Sequence, residues 1–500
     1  MSERRHFLRP LAAACSLVVL AGCATSTMPI SMEERQKALP EQRASLIQNQ
    51  EPLQGPVSLE EALARALKYN LDSRVKLMEE ALAMRQFDLS RVDLLPRLTL
   101  AAGYTTRNND LASSSQDFLT GEQSLVPSIS SERQRTAIDL GLSWNVLDFG
   151  VSYYQSQQNA DRLLVAQERR RKTVHQVIQQ VRQAYWQMAG AQKMENRLQA
   201  VIADARKALA DSRKVQAERL VSPMETLGYQ RQLLEIIRQL EAVNDELSQA
   251  RPRLASLMNL EPGVSFEVAA PEQREIQRLT MSVEQVEEAA LLNRPELMEA
   301  RYNERISVLE TRKAMARLLP GIEFSVGTHH DSNDFLVNKS WRDAGLRVSW
   351  NLLNVLNAPA IKNAAKAQET LARHQHMALS MAVLTQSHVA YRDYLSRLSQ
   401  HELAQELNQI EVQILEQTRN ATRADMQGRL QEVRAAASAL VAGLRDHHSY
   451  ASLQGAYGQL LATIGWDPLP AEIERHDLAG IRQTLKETDG KWVRLLGSGS

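Results

Sequence analysis

Two kinds of residue in this 500-residue sequence have the type and spacing to do chemistry: histidines that neighbour carboxylates, and a cysteine that closes an apolar run. An imidazole can ligate a divalent metal or move a proton near neutral pH. Eleven histidines are present, including the pairs His329-His330 and His447-His448, with His374 and His376 two positions apart. His329-His330 stand near Asp331 and Asp334 in what reads as a short loop, the best-placed group for a metal. Adjacent histidines on a helix diverge, however, and no cysteine accompanies them, so a solvated loop is the better reading and no metal ligand is expected. Catalytic residues are not expected either. The sequence has no Gly-Lys-Ser/Thr phosphate loop, no G-x-G-x-x-G opening a helix, no G-x-S-x-G and no H-E-x-x-H. The closing Gly-Ser-Gly-Ser reads as a flexible tail. Neither an enzyme nor a cofactor follows from these residues.

The cysteines point elsewhere. Arg4, Arg5 and Arg9 precede the stretch PLAAACSLVVLAGC, too short to span a bilayer and shaped like the apolar region of a signal peptide. It ends in Leu20-Ala21-Gly22-Cys23, which resembles a bacterial lipobox, implying that residues 1–22 are removed and Cys23 is acylated. Ala24, where Asp would favour inner-membrane retention, implies sorting to the outer membrane by the same resemblance. Arg-Arg-His-Phe-Leu loosely resembles a twin-arginine signal, which would change the export route only. Cys15 would leave with the signal, so the mature chain keeps no disulfide in an oxidising compartment and must draw its stability from packing and assembly.

The elements that would carry these residues come in duplicate. Pro96 and Pro320, Gly103 and Gly327, and Ser58 and Ser282 share an offset of 224 positions; downstream, Leu142 and Val348, Tyr185 and Tyr391, and Pro262 and Pro468 share 206. The change in offset falls between the two strand-like pieces of each copy, where a loop can lengthen freely. The chain therefore divides into a lipidated N-terminal extension (23–57), a first copy (58–262), a connector (263–281), a second copy (282–468) and a tail (469–500). Each copy reads as helix, strand, loop, strand, very long helix, break and helix. In copy one the first helix is expected over about 58–94, capped by Ser58 and stopped before Pro96; the β-hairpin over about 97–147; and the long helix from Gly150 to about Arg219. A helix restarts at Ser222-Pro223. It carries a coiled-coil seam of Leu233, Leu240, Leu247 and Leu254 with Ile236, Val243, Ala250 and Leu257 between them. Asp446 and Ser449 make the copy-two seam poorer. The second hairpin is expected over about 321–353. The fold class is thus mainly α with a small β part. Equal counts of 59 basic and 59 acidic residues argue against a nucleic-acid partner.

All four strand-like pieces alternate strictly. Leu98, Leu100, Ala102 and Tyr104 oppose Thr99, Ala101, Gly103 and Thr105; Ile138 to Val146 oppose Asp139 to Asn145; Ile322, Phe324 and Val326 oppose Glu323, Ser325 and Gly327; and Leu346 to Leu352 oppose Arg347, Ser349 and Asn351. About 9–11 residues is the length of a tilted membrane β-strand. Trp144 and Trp350 fall near strand ends, where an aromatic girdle is expected. Four strands cannot close a barrel, and open edges are not tolerated in lipid, so the strands must be pooled with those of other copies of the chain.

The duplication, the paired Leu-Leu-Pro strand entries, the paired Ser-Trp-Asn strand exits and the helix breaks near Ser222 and Gly428 resemble the outer membrane factor, or TolC, family, and within it the lipidated efflux ducts. The resemblance implies a homotrimer with a shared 12-stranded barrel in outer membrane lipid and a periplasmic tunnel of helices. It implies an exit duct for efflux or type I secretion, working with a periplasmic adaptor and an inner-membrane pump of RND or ABC type. The closable ends would be Leu220–Leu227 and Met426–Val433. Where several relatives carry two acidic residues three apart, this chain has Gln431 and Arg434, with Asp425 and Glu432 nearby and Glu225 at the first-copy equivalent of Gln431. An Arg434 ring would disfavour cations if it faced the lumen, whereas a solvated Arg434 would do nothing. An envelope lipoprotein that only spaces membrane and cell wall is the alternative; it leaves the amphipathic strands unexplained.

Overall fold

The computed structural model describes residues 28–124, 126–218, 222–261, 263–271, 274–421, 426–468 and 477–497. The expected signal peptide, Cys23, the tip residues 219–221 and Asp425 lie outside the described residues. The chain up to Pro52 is a unit of its own. It holds helix α1 (Met32–Leu46), opened by a reciprocal cap: Glu34 N–H donates to the Ser31 hydroxyl at 3.1 Å and Ser31 N–H to the Glu34 carboxylate at 2.9 Å. None of its side chains is buried.

The unit from Leu53 onward contains both copies. Copy one runs α2 (Leu59–Tyr69), α3 (Leu71–Val92), β1 (Arg97–Thr106), the short β2 (Ala112–Ser113) and β3 (Ser128–Ile129), β4 (Gln134–Asn145), α4 (Val146–Ala217), α5 (Pro223–Ser248) and α6 (Ala250–Leu257). Copy two runs α7 (Val283–Asn293), α8 (Pro295–Ala316), β5 (Gly321–Asp331), β6 (Ser340–Ser349), α9 (Leu352–Leu356), α10 (Ala358–Ala421) and α11 (Met426–Thr463), followed by α12 (Leu478–Gly497). The single helix expected over 58–94 is two helices. Asn70 leaves the helical region at ψ 127° and restarts the chain by accepting the Ser73 N–H, while its side-chain amide donates to the Leu257 carbonyl at 3.3 Å. Arg294 breaks copy two at the equivalent place, ahead of Pro295. A one-residue break leaves apolar periodicity intact, so the pattern could not show it.

The four long strands form one antiparallel sheet in the order β1-β4-β5-β6, with β2 and β3 a separate hairpin in the first loop. The register repeats between copies: Leu98 faces Leu142, and Ile322 faces Val348. The β4–β5 seam joins the copies, with Ser143 opposite Ser325 and Trp144 opposite Phe324. Among the described residues β1 and β6 keep one edge each without a strand partner. Copy one crosses from Thr106 to Gln134 through the β2–β3 arm; copy two turns between Asp331 and Ser340.

At about 1.5 Å per residue, the 72 residues of α4 extend for about 108 Å. Helices α10, α11, α4 and α5 lie side by side in that order. The seam leucines Leu233, Leu240 and Leu254 are fully buried, each contributing about 1.5–3 kcal/mol of transfer free energy, whereas Leu247 is half-buried. Two larger cores sit on one face of this layer. One gathers Leu63, Tyr185, Trp186 and Met258; the other gathers Val286, Tyr394, Tyr457 and Trp466. The connector is laced across the same face: Tyr185 donates to the Ala269 carbonyl (2.9 Å), Gln192 pairs with both backbone groups of Val268 (2.8 and 3.2 Å), and Tyr450 donates to the Glu275 carbonyl (3.0 Å). Asp446, read from sequence as a seam flaw, is instead the buried partner of the connector's Arg274 at 2.6 Å. Ser449 holds His401 Nδ1 at 2.9 Å.

A clasp closes copy two onto copy one. Arg171 on α4 donates to both oxygens of Asp467 (3.0 and 2.9 Å), and His175 adds a third contact at 3.1 Å. Burial pushes the Asp467 carboxyl up, but the His175 and Arg171 hydrogen bonds outweigh it and hold the group below the usual carboxylate range. Gly465 makes the turn into the clasp at φ +72°, where an added Cβ would lie 2.4 Å from the Asn293 carbonyl oxygen. Gly465→Ala is therefore expected to destabilise the protein by more than about 1 kcal/mol. Gly228→Ala, in open space on α5, should be neutral or stabilise by roughly 0.5–1 kcal/mol. Denaturant or thermal melts of the two variants check this ordering; equal midpoints would show that the turn relaxes.

Candidate functional site: the two-faced sheet and the helix ends

Every antiparallel pairing in the sheet joins residues of like parity, so the odd-numbered residues of all four strands share one face and the even-numbered the other. The even face carries Leu98, Leu100, Tyr104, Leu140, Phe324, Val326, Leu346 and Val348, all exposed, with Leu98 and Leu100 at 70 %. A contiguous apolar surface of this kind marks contact with a membrane or another protein. Trp144 lies on it between Phe149 and Phe324, at ring separations of 5.6 and 6.5 Å. Trp350 stands just past the end of β6 and donates its indole N–H to the Leu318 carbonyl at 3.0 Å. Both tryptophans thus sit at the end of the sheet next to the helices.

The odd face is polar. His329 is its centre: Nδ1 is 2.6 Å from Asp139 Oδ1 and Nε2 3.2 Å from Asp343 Oδ1, and the ring stacks on Trp341 at 5.2 Å. A side chain at Gly327 would put Cβ 2.6 Å from His329 Nε2, so glycine there is what lets the imidazole reach across to Asp343. Ser143 and Ser325 follow towards the helices, then the row of Asn145, Glu323 and Arg347, and Arg135 pairs with Asp331 at 2.5 Å. The sequence reading of His329-His330 as a short loop is corrected: both belong to β5, on opposite faces, and Asp334 pairs with Lys339. A run of polar residues hides a strand when its outer end leaves the apolar band. Trp341 was missed for the same reason, although counting back by two from Arg347 places it on the polar face. Among the described residues no group of His, Cys, Asp and Glu is arranged to hold a metal.

At the other end, Pro223 opens α5 and Ser222 caps it without a side-chain hydrogen bond, leaving Glu225 exposed in the first turn. Gln431 is exposed on α11. Glu432 is 3.4 Å from Arg419 of α10, and Arg434 donates to the Gln232 side chain of α5. The expected tip residues are therefore split between partners rather than gathered into one cluster: Arg434 links α11 to α5 and Glu432 links α11 to α10.

One feature went unforeseen, because it needs five helices drawn from both copies of the repeat. On the side of the layer away from the connector, α4, α5, α6, α10 and α11 border a cleft of about 460 Å³, continued towards the helix ends by one of about 340 Å³. Arg445 borders both clefts and Arg434 the second. Arg434 and Arg445, three turns apart on one face of α11, are the only trace of it in the sequence. His447 itself lines the larger cleft; burial and then Arg274 push its imidazole down to about 4, and burial lowers the neighbouring His401 against the pull of Asp446.

Residues 62–260 match the family model of outer membrane efflux proteins. Among solved structures the chain is similar to the outer-membrane channel OprN (18% identity, TM-score 0.63, over 82% of this chain and 90% of that one). It is similar also to a membrane protein from Pseudomonas aeruginosa (15%, 0.66, 83% and 92%) and to the Campylobacter jejuni CmeC outer membrane channel (15%, 0.65, 86% and 89%). No curated protein matches the sequence. The resemblance read from the residues is thus borne out by the family model over the first copy and by the fold over most of the chain.

His447 sets a pH dependence. Its native pKa lies below the unfolded value, so the unfolded chain binds more protons between the two, and stability present in full above about pH 6.5 is lost as pH falls towards 4. Thermal melts from pH 8 to 4 are expected to fall through this window, and to fall less in His447→Gln; parallel profiles would show that His447 is not the group responsible.

Proposed function

We propose that three copies of this chain form an outer membrane exit duct, lipid-anchored at Cys23, with the sheets closed into one 12-stranded barrel and the long helices forming a periplasmic tunnel. The observation that carries the reading is the sheet: an exposed apolar face, a polar face and two open edges. Unpaired backbone groups in lipid cost several kcal/mol each, so a sheet of this kind is stable in a membrane only when closed. The family match over copy one and the fold likeness to outer membrane channels support the same reading. A periplasmic adaptor would meet the helix ends near Glu225, Gln431 and Arg434, and an inner-membrane RND or ABC pump would supply substrate for efflux or type I secretion. A genomic neighbour encoding one pump type or the other would separate these uses.

The duplication fixes how the chains should join. Ser143 faces Ser325 across the internal seam; their equivalents in the other copies are Ser349 and Ala101. Strand β6 should therefore meet β1 of the next chain with Ser349 opposite Ala101. Oxidation of the double variant Ala101→Cys/Ser349→Cys is expected to give covalent dimers and trimers; exclusively monomeric product would reject this seam. In planar bilayers the purified full chain should give discrete conductance steps, and a verified trimer that gives none would reject an open duct. Leu140→Arg, on the apolar face, should lose about 2–4 kcal/mol of membrane stability and assemble poorly. Ser143→Arg, on the polar face, should assemble normally. Palmitate labelling should vanish in Cys23→Ser, and persistent labelling would place the lipid elsewhere.

A further inference from the structure

We propose that the cleft between the long helices is a binding site for amphipathic organic anions, set into the wall of the tunnel. The proposal rests on the duct reading for its place in the transport path, but its chemistry stands on the cleft alone.

The cleft has an apolar floor and a cationic rim. Val243 and Leu247 of α5 and Leu444 of α11 line it, each half-buried, so their surfaces remain available to a ligand. Arg253, Arg397 and Arg445 stand around them. Arg397 has Asp393 at 3.2 Å, and Arg253 donates to the Gln249 amide oxygen at 2.9 Å. Among the described residues Arg445 has no carboxylate within ion-pair distance, although it is exposed and borders both clefts. Glu246 is the one carboxylate in the larger cleft and Glu411 the one in the smaller, which Arg434 also lines. Cationic side chains therefore outnumber anionic ones along the whole trough. A guanidinium presents a rigid fork of donors that matches a carboxylate, sulfonate or phosphate in two parallel hydrogen bonds. A volume of about 460 Å³ lies in the range of small-molecule sites. An apolar body on Val243, Leu247 and Leu444 with its anionic head on Arg445 satisfies both halves of the surface.

Helix geometry gives the side. On α11, Asp446 and Tyr450 reach the connector. At about 100° per residue, Val441, Arg445 and His448 lie on the opposite side of the helix. On α4 the same holds: Tyr185 and Gln192 hold the connector, while Gln187 and Gly190 line the cleft. The cleft is thus on the face of the layer that the connector and the two large cores leave open. In the proposed trimer that face lines the tunnel, and three Arg445 side chains stand at one height around it. A passing anion is retained there, and a simple cation meets a repulsive ring.

The test uses the full-length trimer in planar bilayers with naphthalene-2-sulfonate, and (2-naphthylmethyl)trimethylammonium as its cationic counterpart, added from the helix side. The sulfonate is expected to block the current, the ammonium ion not, and Arg445→Glu to raise the half-blocking sulfonate concentration at least tenfold. Arg445→Gln should lie between, and Arg238→Glu, on the face of α5 turned away from the cleft, should behave as wild type. Equal block by both ions, or an unchanged half-blocking concentration in Arg445→Glu, overturns the site. Calorimetric titration of sulfonate into detergent-solubilised protein separates the two readings. Binding lost in Arg445→Glu from a protein without conductance upholds the site and rejects the duct. Binding that Arg445→Glu and Arg445→Gln both retain, in trimers intact by cross-linking, rejects the site whatever the conductance.

Discussion

Backbone hydrogen bonding across the four-stranded sheet is the constraint on which everything else depends. Inside the chain each strand finds its neighbour, and the β4–β5 seam makes one surface from two duplicated hairpins. That surface stops at β1 and β6, and its even face offers leucine, valine and phenylalanine to whatever surrounds it. A soluble monomer would leave both the edges and the apolar face in water. The long helices, by contrast, satisfy their own backbones and need only lateral packing, which the layer of α10, α11, α4 and α5 supplies. The molecule thus combines a part complete by itself with a part that is completed by its neighbours.

The duplication was legible because it acts on quantities a sequence displays directly: spacing, parity and the punctuation of proline and glycine. The four strands were read from period-two alternation, and the structure keeps those apolar residues on a single face except Val146, Trp350 and Leu352, which lie past the strand ends, Val146 and Leu352 each opening a helix. Leu233, Leu240 and Leu254 were legible as a seam because burial along one helix is a one-dimensional property. The misreadings share a different cause. Asn70 ends a helix through its side-chain bonds to Ser73 and Leu257, the latter 187 residues away. Asp446 looks like a flaw in a coiled coil until Arg274, which lies on the connector, is placed beside it. His329 reads as a loop residue because the partners that make it a strand residue, Asp139 and Asp343, come from two other strands. The cleft depends on five helices at once, so only Arg434 and Arg445 could hint at it.

The two copies have diverged in what they hold rather than in how they are built. Copy one keeps the leucine seam on α5; in the corresponding part of copy two a buried ion pair fixes the connector instead. Replacing a packed apolar pair with a charged one rarely adds stability, but it does fix geometry, since either charge left alone in the interior is costly. The more exposed clasp of Arg171 and His175 on Asp467 ties the end of copy two to the long helix of copy one. These contacts orient the halves against each other, while the leucines hold each half together.

The loops diverge most of all. The β2–β3 arm rises between the strands of copy one, whereas copy two passes between its strands through a short turn. In the proposed trimer the wall repeats six times but its outer rim only three times, with tall arms alternating with low turns. An antibody or a phage tail that grips the mouth from outside therefore meets a triangular landmark, not a hexagonal one. In that trimer, sequence change between Ser113 and Ser128 would redraw the landmark while leaving the strand pairing of the wall intact, so the outer face would be free to vary faster than the passage beneath it.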